Sequence, residues 1–243
     1  VVTGASRRVG RAIALLLAAE GCHLELVHRE RTDDALRTAD DARRAAVAAG
    51  RAIEVATHAA DFDDASAVER VGAVLAERCA AGLAGLVHNA SSYAPSRFGA
   101  CGAEEFARHL RINAIAPALL TQRLAPALAR GRGAVVLFSD IHVLGRPRRG
   151  YLAYSMSKAA TSDLVETLAV ELAPTVRVNG IAPGVVAWPD DAPASERAAY
   201  EARIPLERSG TPEEAAEATR WLLFDATYMT GEILRLDGGR WLR

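Results

Sequence analysis

Short β-branched and aliphatic runs alternate along this chain with longer segments in which apolar residues recur every three or four positions. The short runs are 1–3 (VVT), 23–28 (HLELVH), 52–58 (AIEVATH), 85–88 (GLVH), 133–139 (GAVVLFS), 176–182 (VRVNGIA) and 231–237 (GEILRLD). The helical stretches between them are 8–20, 34–49, 64–80, 103–130, 151–172 and 212–224. Strands this short and this apolar are buried on both faces, and the intervening helices supply the cover. Such alternation, with right-handed crossovers, predicts an α/β fold: a doubly wound parallel sheet of about seven strands with helices on both faces. No Pro/Gly/Ser-rich linker divides the chain, so residues 1–243 are expected to form one domain. The Pro-containing stretch 182–195 follows a strand and reads as a mobile loop over a site. Only Val1 and Val2 precede the first turn, an abrupt start expected to leave the first strand cut short.

In an open parallel sheet, ligands bind beyond the carboxyl ends of the strands, near the switch in strand order. Those ends are Thr3–Gly10, His28–Arg31, Asp61, Asn89–Tyr93, Ser139–His142 and Pro183–Asp190. In the first, TGASRRVG, Gly4 and Gly10 let the backbone approach a pyrophosphate at a helix N-terminus, although a plain strand–helix turn has the same look. Arg7 and Arg8 stand where such loops usually thin down to glycine. An acidic residue at the end of the second strand would select NAD through the ribose 2′-hydroxyl. Here His28, Arg29 and Arg31 are basic, with only Glu30 opposing, and Arg7 approaches the same corner. Guanidinium groups grip phosphate with paired hydrogen bonds, so NADPH/NADP is the expected cofactor, against the alternative of a solvated basic turn. Asp61 in ADF has two readings, an acceptor for the adenine amino group or the N-cap of helix 64–80.

Composition narrows the partners. A net charge of −1 carries no field for nucleic acid or a membrane surface. Cys22, Cys79 and Cys101 are odd in number and lack metal-ligand spacing, which suits a reducing cytoplasm and predicts no metal site. No apolar run approaches a membrane span and no signal peptide is visible, so a cytoplasmic location is expected.

Tyr154 and Lys158 stand four apart on a helical stretch and share one face. A phenol titrates near ~10, too weak an acid for proton donation at neutral pH. A nearby ammonium and an oxidised nicotinamide would stabilise the phenolate and lower that value. By itself such a pair is often incidental.

Together, TGASRRVG, ADF, HNAS (88–91), Asn113 in RINAIAP, the Tyr154/Lys158 pair, VNGIAPG (178–184) and LDGG (236–239) resemble the short-chain dehydrogenase/reductase family, of Rossmann fold, over essentially the whole chain. The resemblance implies that Tyr154 is the general acid/base and that Lys158 lowers its pKa and binds ribose. It implies that Asn113 organises a proton-relay water and that Asn89 and Ala90 lie beside the nicotinamide ribose. Further cofactor contacts are implied for Gly4, Arg7, Arg8, Val9, Gly10, His28, Arg29, Asp61, Phe62, Ser91, Pro183, Gly184 and Val185.

Two departures from the family pattern single out a branch. Most members carry a serine thirteen residues before the tyrosine; Ile141 stands there, preceded by Ser139 and Asp140. Adjacent strand residues face opposite sides, so only one of Ser139 and Asp140 points into the site. The loop also reads TGxxxRxG, with Arg8 in place of glycine. With NASSY (89–93), these features resemble pteridine reductases. In that branch Tyr93 would stack on the pterin, Ser91 would bond pterin and cofactor phosphate, and Arg8 would reach the phosphate and the pterin oxygen edge. Asp140 would replace the serine, Trp188 in AWPDD would wall the substrate pocket, and a homotetramer would form through helices 103–130 and 151–172 and the C-terminal GGRWLR. Reducing a pterin C=N bond needs a hydride on carbon and a proton on nitrogen, for which Asp140 is a second acid if its pKa is raised. The extra residue between Asp140 and Tyr154 is expected to be absorbed in VLGRPRRG, whose three arginines are given no role. The leading expectation is an NADPH-dependent reductase of pterin or dihydrofolate-like substrates. The alternatives are a carbonyl reductase, such as a 3-ketoacyl or sugar reductase using Ser139, and a non-catalytic NADP-sensing protein.

Overall fold

In a computed structural model of the chain, residues 1–189 and 191–242 are described. Asp190, the last residue of the sixth strand-end segment, lies outside the described residues. Seven strands form one sheet: β1 (Val2–Thr3), β2 (Leu24–His28), β3 (Val55–Ala59), β4 (Gly85–His88), β5 (Ala134–Phe138), β6 (Arg177–Pro183) and β7 (Ile233–Leu236). The order is β3-β2-β1-β4-β5-β6-β7, and every pairing is parallel. The chain moves outward from β1 to β3, then crosses back to place β4 on the other side of β1. The switch therefore falls between β1 and β4, which brings the loops after Thr3 and His88 side by side.

Strand alternation divides the core in two. Val2, Leu24, Leu26, Val136, Phe138 and Ile181 pack against Ile13 and Leu17 of α1 (Arg8–Ala19), Ala39 of α2 (Thr32–Ala48) and Leu222 of α8 (Pro212–Phe224). Val27, Leu86, Val135, Leu137 and Val178 face the other way, onto Leu75 of α3 (Ala65–Arg78), Leu124 of α5 (Ala116–Gly131) and Val165 of α6 (Leu152–Leu172). Helix ends follow local chemistry. Asp64 caps α3 by accepting from Ser66 N, and Thr211 with Glu214 forms a capping box over Pro212 at the start of α8.

Two stretches depart from the pattern read off the sequence. The single helix expected over 103–130 is α4 (Ala103–Leu110), a π-turn over Arg111–Ile115 and then α5. The stretch 182–195 leads into a further helix, α7 (Ala194–Glu201), which buries no residue and so carries no apolar stripe to announce it.

Candidate active site

The loop after β1 is drawn tight against the end of β4. Thr3 Oγ1 accepts from the backbone N–H groups of Asn89 and Ala90, both at 3.1 Å, and Asn89 Nδ2 donates to the carbonyls of Thr3 and Gly4. Asn89 thus spends its side chain holding the loop. A Cβ on Gly10 would lie 2.2 Å from the Gly4 carbonyl oxygen, and one on Gly4 2.9 Å from Ala90 Cα. No other residue fits either place. Arg8 has φ +50°, the left-handed region in which glycine is at ease, so the arginine occupies a backbone position suited to the commoner residue.

A cleft of about 440 Å³ runs from this loop in two directions. One arm is lined by Arg7, His28, Arg29 and Arg31, with Asp61 and Phe62 on its wall; the other reaches Ala90, Ser91 and Tyr93. His28 Nδ1 is buried without a partner at the basic end, and burial lowers the pKa of its ring. Arg29 pairs with Glu30 at 3.2 Å and Arg31 with Asp34 at 3.4 Å, both on the surface. Asp61 is not the α3 cap; it accepts from Asp63 N at 3.0 Å, and Asp64 takes the capping role. A glycine-tight loop opening α1, a basic arm and an orphaned imidazole nitrogen fit an anionic dinucleotide. Val9 packs on the core beneath the loop. Along the other rim, Gly184 N donates to the Leu236 carbonyl and Val185 N to Tyr200 Oη, carrying the chain past Pro183 at the end of β6.

At the β5 end the ambiguity between Ser139 and Asp140 is resolved. Ser139 is 3% exposed and its hydroxyl shares a 2.6 Å hydrogen bond with Ser162 Oγ on α6, behind the site. Asp140 turns forward: its Oδ1 accepts from His142 N, and its Oδ2 accepts from Tyr154 Oη, both at 2.7 Å. Ile141 is fully buried. Burial and the adjacent Asp140 carboxylate push the Tyr154 phenol well above its ordinary value. Both effects act against the lowering expected from Lys158 and an oxidised nicotinamide. Lys158 instead donates from Nζ to the Phe138 carbonyl at 2.6 Å, and burial brings its ammonium down to about 8.

Asn113 lies in the π-turn, a local irregularity often found at functional sites. Its side chain accepts from Ser92 N at 2.7 Å and Ser91 Oγ at 3.2 Å, and donates to Ser157 Oγ at 2.8 Å. It thereby ties the Ser91–Tyr93 segment to α6. Ser96 continues the tie, accepting through Oγ from Ala153 N and bridging Tyr151 in parallel register. These bonds set Tyr93 against two rings, stacked on Tyr151 at 5.1 Å and edge-on to Tyr154 at 4.9 Å.

Three nearby residues carry no role from sequence. Tyr151 forms the shelf under Tyr93, His109 is buried edge-on to Tyr154 at 6.2 Å, and Arg148 reaches Tyr93 from the loop 144–150. The spacing of Tyr151 and Tyr154 on one helical turn was the only local signal. Trp188 is not brought to this group. Its Nε1 donates to Ser209 Oγ at 2.8 Å and its ring lies edge-on to Tyr200 of α7. Among the described residues no cluster of His, Cys, Asp or Glu is arranged to hold a metal, and no helix is long and apolar enough to cross a membrane.

The sheet and its cleft have the form of a nucleotide-binding fold, and Tyr154 lies edge-on to Tyr93, which lines the cleft. A family model described as enoyl-(acyl carrier protein) reductase matches residues 4–240, and the chain belongs to this short-chain dehydrogenase/reductase family. It is 33% identical to glucose 1-dehydrogenase of Gluconobacter oxydans, over 98% of this chain and 90% of that protein. It is 34% identical to pteridine reductase 1 of Leishmania tarentolae, over 98% of this chain and 94% of that one. The crystal structure of acetoin dehydrogenase from Salmonella typhimurium superposes with a TM-score of 0.85 at 26% identity, covering 100% of this chain and 96% of that chain. Relatives with different named substrates thus stand at nearly equal distance, and specificity has to be argued from the site.

Proposed function

We propose that this protein is an NADPH-dependent reductase of pterin or dihydrofolate-like substrates. The observation that carries the reading is the Tyr154–Asp140 hydrogen bond, a phenol donating to a carboxylate where the common family pattern has a neutral serine. When bound, the nicotinamide supplies the hydride that goes to the carbon of the C=N bond. The protein's own part is the proton. Tyr154 gives its phenol proton to the ring nitrogen for each hydride received, and the half-buried Asp140 that accepts its hydrogen bond is the route by which that proton is replaced. Tyr93 is half-exposed, which leaves ring surface for a flat heterocycle to lie against. Arg7, Arg29 and Arg31 favour the 2′-phosphate form of the cofactor. Lys158, its ammonium held on the Phe138 carbonyl, is assigned to the nicotinamide ribose.

The test is NADPH oxidation with dihydrobiopterin, dihydromonapterin and dihydrofolate, beside acetoacetyl-CoA and a sugar panel. Turnover of a dihydropterin that is lost in Asp140→Ala supports the reading. Turnover of carbonyl substrates alone, lost in Ser139→Ala and kept in Asp140→Ala, replaces it with carbonyl reduction. Cofactor binding with no turnover on any substrate leaves a sensor.

A further inference from the structure

The loop between β5 and α6 carries Arg146, Arg148 and Arg149. Some arginines elsewhere on the surface are neutralised by neighbouring acids, Arg43 by Asp40, Arg208 by Glu214 and Arg220 by Asp225. Among the described residues no carboxylate lies within ion-pair distance of Arg146, Arg148 or Arg149. Arg148 is nevertheless held in place. Its Nη1 donates to Tyr93 Oη, and its guanidinium carbon lies 4.1 Å from the Tyr151 ring centroid and 5.8 Å from that of Tyr93.

A guanidinium has five N–H donors, and the bond to Tyr93 uses one. What remains is a cation on an aromatic shelf, facing solvent and already oriented, so that little side-chain entropy is lost when it takes a partner. The shelf gives it direction. Tyr93 packs against Tyr154 at 4.9 Å and carries Arg148 on its hydroxyl, so a ligand lying on Tyr93 with its reacting edge at Tyr154 comes within reach of the cation. Arg148 also bears on the reacting group, drawing the Tyr154 phenol down against the larger upward push of burial and Asp140.

We infer that Arg148 is a specificity-determining residue that binds a carboxylate on the substituent of the ring-bound substrate. The site then prefers a reduced pterin with an acidic tail, of the dihydrofolate kind, over an unconjugated dihydropterin. This rests on the function proposed above. Arg148 is exposed and its replacement leaves the core untouched.

The experiment measures kcat and KM for dihydrofolate and dihydrobiopterin in wild type, Arg148→Ala and Arg148→Lys. In Arg148→Ala the ratio of kcat/KM for dihydrofolate over dihydrobiopterin should fall roughly tenfold or more, chiefly through the KM for dihydrofolate. Arg148→Lys, which keeps the charge, should retain most of the ratio. An unchanged ratio in Arg148→Ala overturns the inference, as does an equal loss on both substrates, which would make Arg148 only a prop for Tyr93. A wild-type enzyme that reduces neither substrate refutes the pterin reading itself, a result distinct from both.

Discussion

Replacing Asp140 by asparagine removes one negative charge from the site and almost no volume. In the wild type each carboxylate oxygen has a separate task, Oδ1 on His142 N and Oδ2 on Tyr154 Oη. Asparagine keeps one oxygen, which stays on His142 N because asparagine caps as well as aspartate. Its amide N–H₂ then faces Tyr154 and donates to the phenol oxygen, so the hydrogen bond survives with its direction reversed. Exchanging a charged hydrogen bond for a neutral one costs about 1 kcal/mol, which in a domain of this size moves Tm by roughly 2–4 °C. Asp140→Ala is harsher. It orphans the hydroxyl of a tyrosine that is 7% exposed, at about 1–3 kcal/mol, and removes a cap, at about 1 kcal/mol. The chemistry should separate from the stability, because an amide cannot relay a proton. In Asp140→Asn, kcat for dihydrobiopterin should fall by roughly 10²–10⁴ while thermal unfolding shifts by only a few degrees. The pH profile should move as well. The carboxylate helps hold the phenol up, so its removal lowers the phenol's pKa. The protonated form is then lost earlier as pH rises, and the alkaline limb shifts to lower pH. Stopped-flow NADPH oxidation across pH, with calorimetry on the same samples, measures both effects. Wild-type kcat in Asp140→Asn would refute the reasoning.

Arg29→Ala and Arg7→Ala should each raise the Kd for NADPH by roughly 10–100-fold with a much smaller effect on NADH, since a charge-assisted phosphate contact is worth about 1.5–3 kcal/mol; equal losses for both cofactors would dismiss the 2′-phosphate assignment. Burial lowers the Lys158 ammonium from 10.5 to about 8, so between these values the folded state releases its proton before the unfolded state does and stability rises with pH. Lys158→Met should lack that rise and be relatively more stable below pH 8, and parallel Tm–pH curves for the two proteins would contradict the assigned shift. Arg8→Gly places at φ +50° a residue that adopts it freely, a relief of about 1–2 kcal/mol against a backbone-entropy cost of up to ~1 kcal/mol. Thermal stability should therefore hold, NADPH affinity should stay within about threefold and the KM for dihydrobiopterin should rise roughly tenfold, the loss of one charged contact to the pterin; an unchanged KM would leave Arg8 a backbone variant without a substrate role.

All seven strands were legible because each is a short apolar run bounded by turn residues. Most helices were legible from their period, and the exceptions are instructive. α7 buries nothing, so its sequence carries no stripe. The π-turn at Arg111–Ile115 interrupts a stretch whose apolar spacing runs on unbroken, and a contact from another helix, Thr161 Oγ1 to the Asn113 carbonyl at 2.8 Å, accompanies it. Strand alternation established that only one of Ser139 and Asp140 could enter the site. Choosing between them required α6, where Ser162 takes the Ser139 hydroxyl. The push on the Tyr154 phenol needs the tertiary structure for a related reason: helical spacing places Lys158 on the tyrosine's face, whereas the burial and the Asp140 carboxylate that raise the phenol are encoded by no local pattern. Arg148 is unreadable from sequence, since a guanidinium in a polar loop looks like any solvated charge until Tyr93 and Tyr151 are beneath it. By itself, then, the sequence determined the strands, the glycine-tight loop and the residues able to do chemistry, because period and local sterics act over a few positions. The tertiary structure alone decided which carboxylate meets the tyrosine, which way its proton affinity moves and which arginine stands over the aromatic shelf, because those depend on burial and on partners tens of residues away.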